Sequence, residues 1–384
     1  MGLRIAFIGQ KGFPATWGGI EKHVEQLTLG LARRGHRVSV YSRPWYSSAR
    51  QSDVAQVHIA RVPSIPTKHL DAATHSILCS LDALVRRYDI IHYHAIGPAL
   101  FSWLPRLLRK RIIVTIHSFD YKRGKWGALA RQCLRAGEQI ALHVADPVIV
   151  VARHLEKHYA AQGFPTLFIP NGVDVQGDPG ADLLQDSLGV VPGRYVLFLG
   201  RLVPEKRPGM LIRAFRRLAP PGWKLVIAGG TSMTDSHVKA VTAEAGGDHR
   251  VVFPGYLTGR LLRQCLAHCG LFVLPSVLEG LPIALLEAMS YAVPCLASDI
   301  PPHAELIEDG RNGLLFRTHE PAHFEARLMD ALSDSFLREQ APGLGRAARS
   351  IIEASYTWDH VIENTEKAYV AAMSPSSTPP TDFH

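Results

Sequence analysis

Short apolar runs alternate with longer amphipathic stretches along this chain, and the alternation starts again after a polar segment near the middle. In the first half we expect strands at residues 3–9, 37–41, 57–62, 90–93, 112–117 and 147–151, with helices at 19–34, 72–87, 98–108 and 127–143. In the second half the expected strands are 195–199, 224–228, 251–253, 271–274 and 294–297, with helices at 209–218, 235–245, 258–268 and 283–291. Such alternation predicts a parallel sheet with helices on both faces. The predicted fold class is therefore α/β, with two Rossmann-like domains that face each other across a ligand cleft.

The length of the chain supports two domains. At 384 residues it exceeds the roughly 250–300 residues at which one hydrophobic core usually divides. We expect an N-terminal domain at residues 1–174 and a C-terminal domain at residues 175–356, with the connection near the polar stretch 176–193. A terminal helix is expected at residues 357–373. The Pro- and Ser-rich residues 374–384 are expected to form a disordered tail.

Two carboxylates bracket one strand-to-helix turn. Glu279 and Glu287 stand eight residues apart, after the apolar run 271–275 and at the start of an expected helix. In a parallel sheet such a turn lies at the carboxyl ends of the strands, where ligands bind, and a helix N-terminus there suits a phosphate. If the segment is wholly helical, the two acids lie about 12 Å apart along the axis. That spread fits a ligand with several hydroxyls beside a diphosphate, although a solvated turn acid and a helix-surface acid would have the same spacing.

A second turn carries positive charge. The apolar run 195–199 ends in Gly200 and leads into Arg201 and Lys206. A guanidinium binds phosphate oxygens in a bidentate manner, and an ammonium adds a compact charge. Together these two side chains could neutralise a diphosphate. Taken alone, they could equally be ordinary surface residues.

The motifs together resemble those of the retaining glycosyltransferases of family 4, which have the two-domain GT-B architecture. The E-x7-E element matches at Glu279 and Glu287, and the G-R-L-x-x-E-K element matches at residues 200–206. Further matches, in the family's order, lie at residues 4–19, 115–117, 169–174 and 227–230, and the resemblance runs from residue 3 to about residue 372. Residues 9–19, 35–41 and 117–126 are similar to a bacterial surface-polysaccharide branch that includes rhamnosyltransferases. Ser118 stands where that branch usually has glycine, on the side expected to face the acceptor.

The resemblance implies a nucleotide-diphosphate sugar as donor and a glycan or lipid-linked acceptor. It implies that Arg201, Lys206, the amides of Gly280 and Leu281, and the backbone of Gly18 and Gly19 hold the diphosphate, where preorganised donors stabilise the leaving group. It also implies that the terminal helix crosses back to the first domain. The remaining residues that the resemblance assigns to the site are Gly229 in the donor-binding domain, Glu279 on the sugar hydroxyls, Glu287 on the ribose, and Tyr256 or Leu257 beside the base.

His117 ends an expected strand, and the resemblance implies that it contacts the donor sugar near the reacting carbon. A pKa near neutrality would also let it move a proton, whereas a structural histidine is the alternative. His92 and His94 also end a strand, and we interpret them as lining residues. For Glu279 a covalent nucleophile is the alternative to a binding role, but the motif spacing suggests a carboxylate separation wider than the roughly 5 Å of retaining glycosidases.

No metal or other cofactor is expected. The sequence contains no Asp-x-Asp, the motif that holds a metal-bound diphosphate in the other major glycosyltransferase fold, so Arg201 and Lys206 would replace the cation. Cys265, His268 and Cys269 fall on one face of an expected helix without an evident fourth ligand, and core packing is the favoured interpretation.

The net charge and the hydropathy of the chain limit its expected cellular location and its expected binding partners. The net charge of +8 favours nucleic acid, anionic lipid or a polyphosphate ligand, and without a nucleic-acid-binding motif we favour the last two. No apolar run approaches ~18 residues, no leader precedes the first strand, and the five cysteines lack framework spacing, so a cytoplasmic location is expected. Basic and aromatic residues at 100–111 and 122–126 suggest peripheral contact with an anionic leaflet, although a solvated helix face would look the same.

Three other functions fit parts of the pattern. A sugar-nucleotide epimerase could use the same two-lobed fold and would interconvert its donor without an acceptor. A non-catalytic nucleotide-sugar-binding protein would not need His117. An NAD-dependent oxidoreductase is disfavoured because the first turn lacks G-x-G-x-x-G and no acid follows the second strand.

Overall fold

The computed structural model describes residues 2–16, 18–46, 56–67, 70–230 and 235–374. The chain folds into two compact units. The described residues up to Gly172, together with those from Trp358 onwards, form the first unit, and Val173–Thr357 form the second. We describe each unit by itself.

The first unit contains a seven-stranded parallel sheet with strand order β3-β2-β1-β4-β5-β6-β7. Its strands are β1 (Arg4–Ile8), β2 (Arg37–Ser42), β3 (Val57–Arg61), β4 (Ile90–His94), β5 (Arg111–Ile116), β6 (Val148–Val150) and β7 (Leu167–Phe168). The helices that connect them are α1 (Gly19–Arg33), α2 (Asp71–Val85), α3 (Ile96–Ala99), α4 (Trp103–Leu107), α5 (Ala128–Val144) and α6 (Arg153–Ala160). Residues 5–8 of the central strand β1 are wholly buried, as expected for a sheet covered on both faces.

The second unit contains a six-stranded parallel sheet with strand order β10-β9-β8-β11-β12-β13. Its strands are β8 (Tyr195–Leu199), β9 (Lys224–Ala228), β10 (Val251–Gly255), β11 (Leu271–Leu274), β12 (Cys295–Ser298) and β13 (Leu314–Phe316). Its helices are α7 (Leu184–Leu188), α8 (Pro208–Leu218), α9 (Asp235–Ala243), α10 (Gly259–Ala267), α11 (Ile283–Ser290), α12 (Pro301–Ala304), α13 (Pro321–Ala331), α14 (Asp334–Glu339) and α15 (Ala341–Ser355). Both sheets therefore have the doubly wound topology, in which the strand order reverses beside the first strand of the unit.

The last helix, α16 (Trp358–Met373), belongs to the first unit. Its buried residues Val361 and Ile362 join the core that α1 builds with Val24 and Leu27, and the Ile362 side chain lies directly over Gly30 of α1. At the rim of this contact the Glu366 carboxylate accepts hydrogen bonds from Arg34 and His36, at 2.7 and 2.9 Å. The predicted terminal helix is thus present, and it packs on the first unit.

The structure differs from the sequence-based expectations in several places, and the helices α6, α7 and α12 to α15 were not predicted. The helix expected at residues 98–108 is two short helices, α3 and α4, because Pro105 lacks the N–H for the helical bond to residue 101 and its ring clashes with that carbonyl. The short edge strands β7 and β13 were not predicted. Helix α11 begins at Ile283, four residues after Glu279, so Glu279 and Glu287 do not share one helix and the 12 Å estimate does not apply.

Of the described helices, none combines the length and the apolar character that a membrane crossing requires.

Candidate active site

In each sheet the strand order reverses at one point, and the loops that follow the two flanking strands meet there. The reversal lies between β1 and β4 in the first unit and between β8 and β11 in the second. Ligands of open α/β sheets bind at the carboxyl ends of the strands beside this point. In the second unit the loop after β8 carries Arg201 and Lys206, and the loop after β11 carries Glu279.

Lys206 and Glu279 form an ion pair in the second unit. Lys206 Nζ lies 2.7 Å from Glu279 Oε1, and the two side chains are only 13% and 12% exposed. A backbone hydrogen bond from Val277 N to Glu205 O, 2.8 Å long, ties the two loops together beside the pair. Arg207 follows with a left-handed backbone (φ 48°), and its guanidinium donates to Thr318 O at 2.8 Å. The predicted cation and carboxylate therefore meet, and the surrounding backbone holds them in place.

A chain of hydrogen bonds supports the Glu279 carboxylate from behind. Ser276 Oγ donates to Glu279 Oε1 at 2.7 Å, and Ser298 Oγ donates to the carbonyl of Ser276. His303 Nδ1 lies 3.0 Å from both Oγ and the carbonyl oxygen of Ser298. Ser276, Ser298 and His303 are wholly buried. The buried residues His303, Ser298 and Ser276 thus fix the position of the Glu279 carboxylate from its inner side.

The electrostatics of this cluster favour a charged Glu279 and a neutral His303. Burial alone raises the pKa of Glu279, but the charge and hydrogen bond of Lys206, with smaller contributions from His303 and Ser276, more than offset it, and the net shift of the pKa is downward. Burial also lowers the pKa of His303 to about 4, against the opposing charge of Glu279. At neutral pH the pair is thus an ammonium and a carboxylate beside an uncharged imidazole.

The other predicted donor-binding residues of the second unit lie in the same loops and in neighbouring ones. Arg201 is half-buried in the loop after β8, and Gly280 and Leu281 lie between Glu279 and α11, with Leu281 buried. Glu287 is half-buried on α11. Helix α11 follows Pro282, so the amides of its first turn continue the loop that contains Glu279.

Gly229 and Tyr256 follow the neighbouring strands β9 and β10. Gly229 has φ 137°, and a Cβ there would overlap the carbonyl oxygen of Gly200, so only glycine allows these two strand ends to approach. The Tyr256 ring is 44% exposed and lies against Gly230, where a Cβ would come within 2.8 Å of Cε2. Leu257 beside it is half-buried. An exposed ring fixed over glycine has the form of a stacking surface.

In the first unit, Gly18 precedes α1 and Gly19 is its first residue. Two carboxylates of α1 hold the preceding loop: Lys11 N donates to Glu21 Oε1 at 3.2 Å, and Ala15 N donates to Glu25 Oε1 at 3.1 Å. Gly18 has φ 102°, and a Cβ there would overlap the carboxylate of Glu21. The glycine is therefore required for the loop to close over the first turn of α1.

His117 lies just beyond β5 and contacts His94 at the end of β4. His94 Nδ1 and His117 Nε2 are 3.1 Å apart, and the His23 ring of α1 packs edge-on against His117 with a centroid distance of 5.0 Å. His23 Nδ1 is paired with Asn171 Oδ1 at 3.0 Å. Of the cluster, His117 retains the largest exposed fraction, 8%, whereas His23 is 3% exposed and His94 is fully buried.

His92 completes this cluster from the same strand as His94. Its Nδ1 is 2.7 Å from the hydroxyl of Tyr369 on α16, and its Nε2 is 2.7 Å from Thr115 Oγ1 on β5. The prediction of His92 and His94 as lining residues is wrong in one respect, because both are fully buried. They lie behind His117 and not on a surface.

Burial keeps these imidazoles neutral. It lowers the pKa of His23 to about 4 and the pKa of His92, His94 and His117 well below the ordinary value, and neighbouring histidines lower the last three further. The expectation of a near-neutral pKa for His117 is therefore wrong. At physiological pH His117 is an uncharged hydrogen-bonding group.

The ring nitrogens of His23, His94 and His117 come within 4.8 Å of one another, and across the described ranges they are the one such group with metal-ligand chemistry. Hydrogen bonds to Asn171 and between the rings account for this geometry. Cys265 and Cys269 are buried, and burial raises the pKa of both thiols. His268 lies 3.0 Å from Asp178 instead.

Two family models match this chain. The model described as Glycosyltransferase Family 4 matches residues 17–176, and the one described as Glycosyl transferases group 1 matches residues 185–350. The chain belongs to glycosyltransferase family 4. It is accordingly a glycosyltransferase; the first match lies almost entirely in the first structural unit, and the second match lies in the second unit.

Known proteins resemble this family 4 glycosyltransferase along nearly its whole length. A glycosyltransferase of Methanocaldococcus jannaschii is 28% identical and covers 97% of this chain and 99% of its own. The D-inositol 3-phosphate glycosyltransferase of Nocardia farcinica is 28% identical, and the match covers 93% of this chain and 85% of that protein. Among solved structures, the sucrose-phosphate synthase of Thermosynechococcus elongatus has a TM-score of 0.80 at 22% identity. The match covers 96% of this chain and 98% of the synthase. HepE of Anabaena, in complex with UDP and glucose, has a TM-score of 0.78 at 20% identity. The match covers 96% of this chain and 100% of HepE. These likenesses confirm the predicted α/β GT-B fold.

In this glycosyltransferase, sequence reasoning missed Ser276, Ser298 and His303. The two serines stand at the carboxyl ends of β11 and β12, and polar residues at adjacent strand ends were the available signal. His303 follows two prolines in α12, where nothing in the sequence marks it. Only the packing of α12 brings it to Ser298.

Proposed function

We propose that this glycosyltransferase moves a hexosyl or deoxyhexosyl group from a nucleotide-diphosphate sugar to a glycan or lipid-linked acceptor, with retention of configuration, in bacterial surface polysaccharide synthesis. The observation that carries the proposal is the Lys206–Glu279 pair at the strand-order reversal, with Arg201 in the same loop as Lys206. HepE, which shares the fold, was solved with UDP and with UDP-glucose, and this supports a nucleotide-sugar donor.

In the proposed reaction the bond between the anomeric carbon and the donor phosphate breaks, and the acceptor oxygen bonds to the same face of that carbon. The acceptor hydroxyl gives its proton to the departing phosphate oxygen, so the nucleoside diphosphate leaves with the electron pair of the broken bond. Lys206 and Arg201 stabilise the negative charge that develops there. Glu279 binds sugar hydroxyls, and Glu287 binds the ribose.

The proposed site needs no metal ion, because two side-chain cations and the amides between Glu279 and α11 take that role. His117, neutral at physiological pH, contributes a hydrogen bond to the substrate and not a charge. Tyr256 supplies the exposed ring against which a nucleobase can stack.

Nucleotide binding tests the proposal. UDP, GDP, dTDP and ADP would each be added to the protein, with and without EDTA, and the melting temperature followed. We expect one nucleotide to raise it in the wild type but not in Arg201→Ala, without an effect of EDTA. If no nucleotide shifts the wild type, or if EDTA abolishes the shift, the proposed site is wrong.

Incubation with donor alone and with donor plus acceptor separates the alternatives. Transfer to an acceptor supports the proposal. Interconversion of the donor sugar without an acceptor would identify an epimerase, and tight binding without turnover would identify a nucleotide-sugar-binding protein.

We further propose peripheral contact with an anionic membrane through α4, the 3₁₀ turn Asp120–Lys122 and the start of α5. Large apolar side chains protrude here: Trp103 is 42% exposed, Leu107 70%, Leu108 60% and Leu129 76%. Exposed basic residues accompany them: Arg106, Arg109, Lys122 and Lys125. Apolar side chains flanked by cations complement acyl chains beneath anionic headgroups.

Co-sedimentation with vesicles of anionic and of neutral lipid tests this contact. We expect binding to anionic vesicles at low salt, weakened in Leu107→Ser/Leu108→Ser. Val85→Ser is the matched control, because Val85 is 83% exposed on α2. Absence of binding at low salt would refute the membrane contact and leave the transfer reaction unaffected.

A further inference from the structure

The contact between His94 and His117 constrains where His117 carries its proton. His94 Nδ1 and His117 Nε2 are 3.1 Å apart, so one of these nitrogens donates and the other accepts. Both rings are neutral at physiological pH because burial lowers the pKa of each. A neutral imidazole has one N–H and one lone pair, and the choice at His94 therefore sets the tautomer of His117.

The second nitrogen of His94 decides between the two arrangements. His94 Nε2 is buried and has no hydrogen-bond partner among the residues that the structure describes. If His94 carried its proton on Nε2, a buried N–H would be left without an acceptor, and such orphaned donors are rarer than under-used acceptors. A proton on Nδ1 places the N–H of His94 in the bond to His117 and leaves only an unused lone pair at Nε2.

We propose that His94 is a positioning residue, which donates its Nδ1 proton to His117 Nε2 and so holds His117 with its own proton on Nδ1, as a hydrogen-bond donor to the substrate. Nε2 of His117 is occupied by His94, so Nδ1 is the nitrogen left for a ligand. In this tautomer His117 can donate to a sugar or phosphate oxygen, but it has no free lone pair with which to take a proton from the acceptor.

The consequence for catalysis rests on the proposed function. A donor suits a reaction in which the departing phosphate oxygen takes the acceptor's proton, because His117 then only has to stabilise an oxygen atom. The charged and titratable groups around His117 are His23 of α1, His92 and His94 of β4, and Arg123; burial, His23, His92 and Arg123 lower the pKa of His117. The activity should therefore show no ionisation of His117 between pH 5.5 and 8.

Nitrogen NMR of the ¹⁵N-histidine-labelled protein tests the tautomer directly, with His117→Asn used to assign the signals. We expect His117 to carry its proton on Nδ1 in the wild type and in His94→Asn, because the asparagine amide can donate from the position of Nδ1. In His94→Asp a carboxylate replaces the donor, and the proton should move to Nε2 of His117. A wild-type proton on Nε2 would overturn the proposal, and so would a stoichiometric metal ion that is lost in His94→Asn. This result does not depend on whether transfer is detected.

Kinetics test the role in the reaction. We expect His94→Asn to keep kcat within about threefold and His94→Asp to lower it by about 100-fold with little change in KM, the size expected for loss of one preorganised donor. His75→Asn is the control, because His75 is equally buried but contacts Cys79 on α2. Equal losses in His94→Asn and His94→Asp, with the tautomer unchanged, would show that His94 only supports packing.

Discussion

Lys206 Nζ and Glu279 Oε1 lie 2.7 Å apart, although the two residues are on different loops at the strand-order reversal of the second unit. The carboxylate oxygen also accepts a hydrogen bond from Ser276. The carboxylate therefore neutralises the ammonium when no anion is bound. The pair links the two loops through a contact that is largely shielded from solvent.

A double-mutant cycle on this pair should reveal strong coupling. Lys206→Met and Glu279→Gln each leave a largely buried charge without its partner, and we expect each to lower the free energy of unfolding by about 2–4 kcal/mol. The double variant should recover part of the loss, with a coupling of about 1–3 kcal/mol. Urea unfolding measures all three.

The control is the exposed pair Arg311–Glu308, with side chains 75% and 66% exposed. Arg311→Met should change the free energy of unfolding by less than about 0.5 kcal/mol. Additive effects of Lys206→Met and Glu279→Gln would mean that the pair does not form in solution.

Removing the Ser298 hydroxyl should impair transfer more than stability. Ser298→Ala breaks the chain from His303 to Ser276 and Glu279, whereas Ser290→Ala removes an equally buried hydroxyl that donates only to Glu287 O within α11. Both should cost about 1 kcal/mol of unfolding free energy. We expect only Ser298→Ala to lower kcat, by roughly tenfold. Equal kcat in the two variants would assign the Ser298 chain a purely structural role.

Stability should fall as the solution is acidified below pH 6.5. Burial lowers the pKa of His23 to about 4, of His75 to about 3 and of His303 to about 4, and the unfolded chain titrates near 6.5. Between these values the unfolded state binds more protons, so each histidine contributes a loss of up to about 1.4 kcal/mol per pH unit as the pH drops. Glu279, whose pKa is also lowered, adds a loss below pH 4.5 in the same direction.

Urea unfolding at several values between pH 7.5 and 5 checks this slope. His75→Asn should flatten it, because one buried titrating group is removed without a change at the candidate site. An unfolding free energy that stays constant or rises on acidification would show that these histidines are not buried in the folded state.

Replacing Gly229 by alanine should destabilise the second unit strongly. The new Cβ would overlap the carbonyl oxygen of Gly200, and the backbone is at φ 137°. We expect a loss of about 3 kcal/mol or more, because both strain and a backbone clash must be relieved. Gly222→Ala is the control: its φ is 74° but no atom lies within 4 Å of the new Cβ, so only about 1 kcal/mol should be lost. Thermal unfolding that is alike in the two variants would contradict the close approach of Gly229 to Gly200.

Much of this architecture follows from patterns that are local in the sequence. The apolar runs that became β1, β4, β8 and β11 are buried on both faces and carry their own signal. The short strands β7 and β13 lack it, because two or three residues at a sheet edge acquire their conformation from a neighbour. The break between α3 and α4 had a local cause, Pro105, but the helical pattern on either side concealed it.

In the candidate site, too, some features were predictable from the sequence and others depended on tertiary packing. Arg201, Lys206 and Glu279 could be found from the sequence, because each follows an apolar strand and strand ends gather at one edge of a parallel sheet. That Lys206 and Glu279 pair with each other, and that His303 supports the carboxylate through Ser298 and Ser276, depends on how loops far apart in the chain pack.

The sequence by itself determined the α/β class, the two doubly wound units and the family, because hydrophobic periodicity and glycine-bearing turns act over a few residues. Only the tertiary structure decided the protonation states. The imidazole of His117 is neutral because α1, β4 and β5 together exclude water and place His23, His92 and His94 around it. Desolvation and the choice of hydrogen-bond partner are properties of the packed interior, and no sequence spacing encodes them.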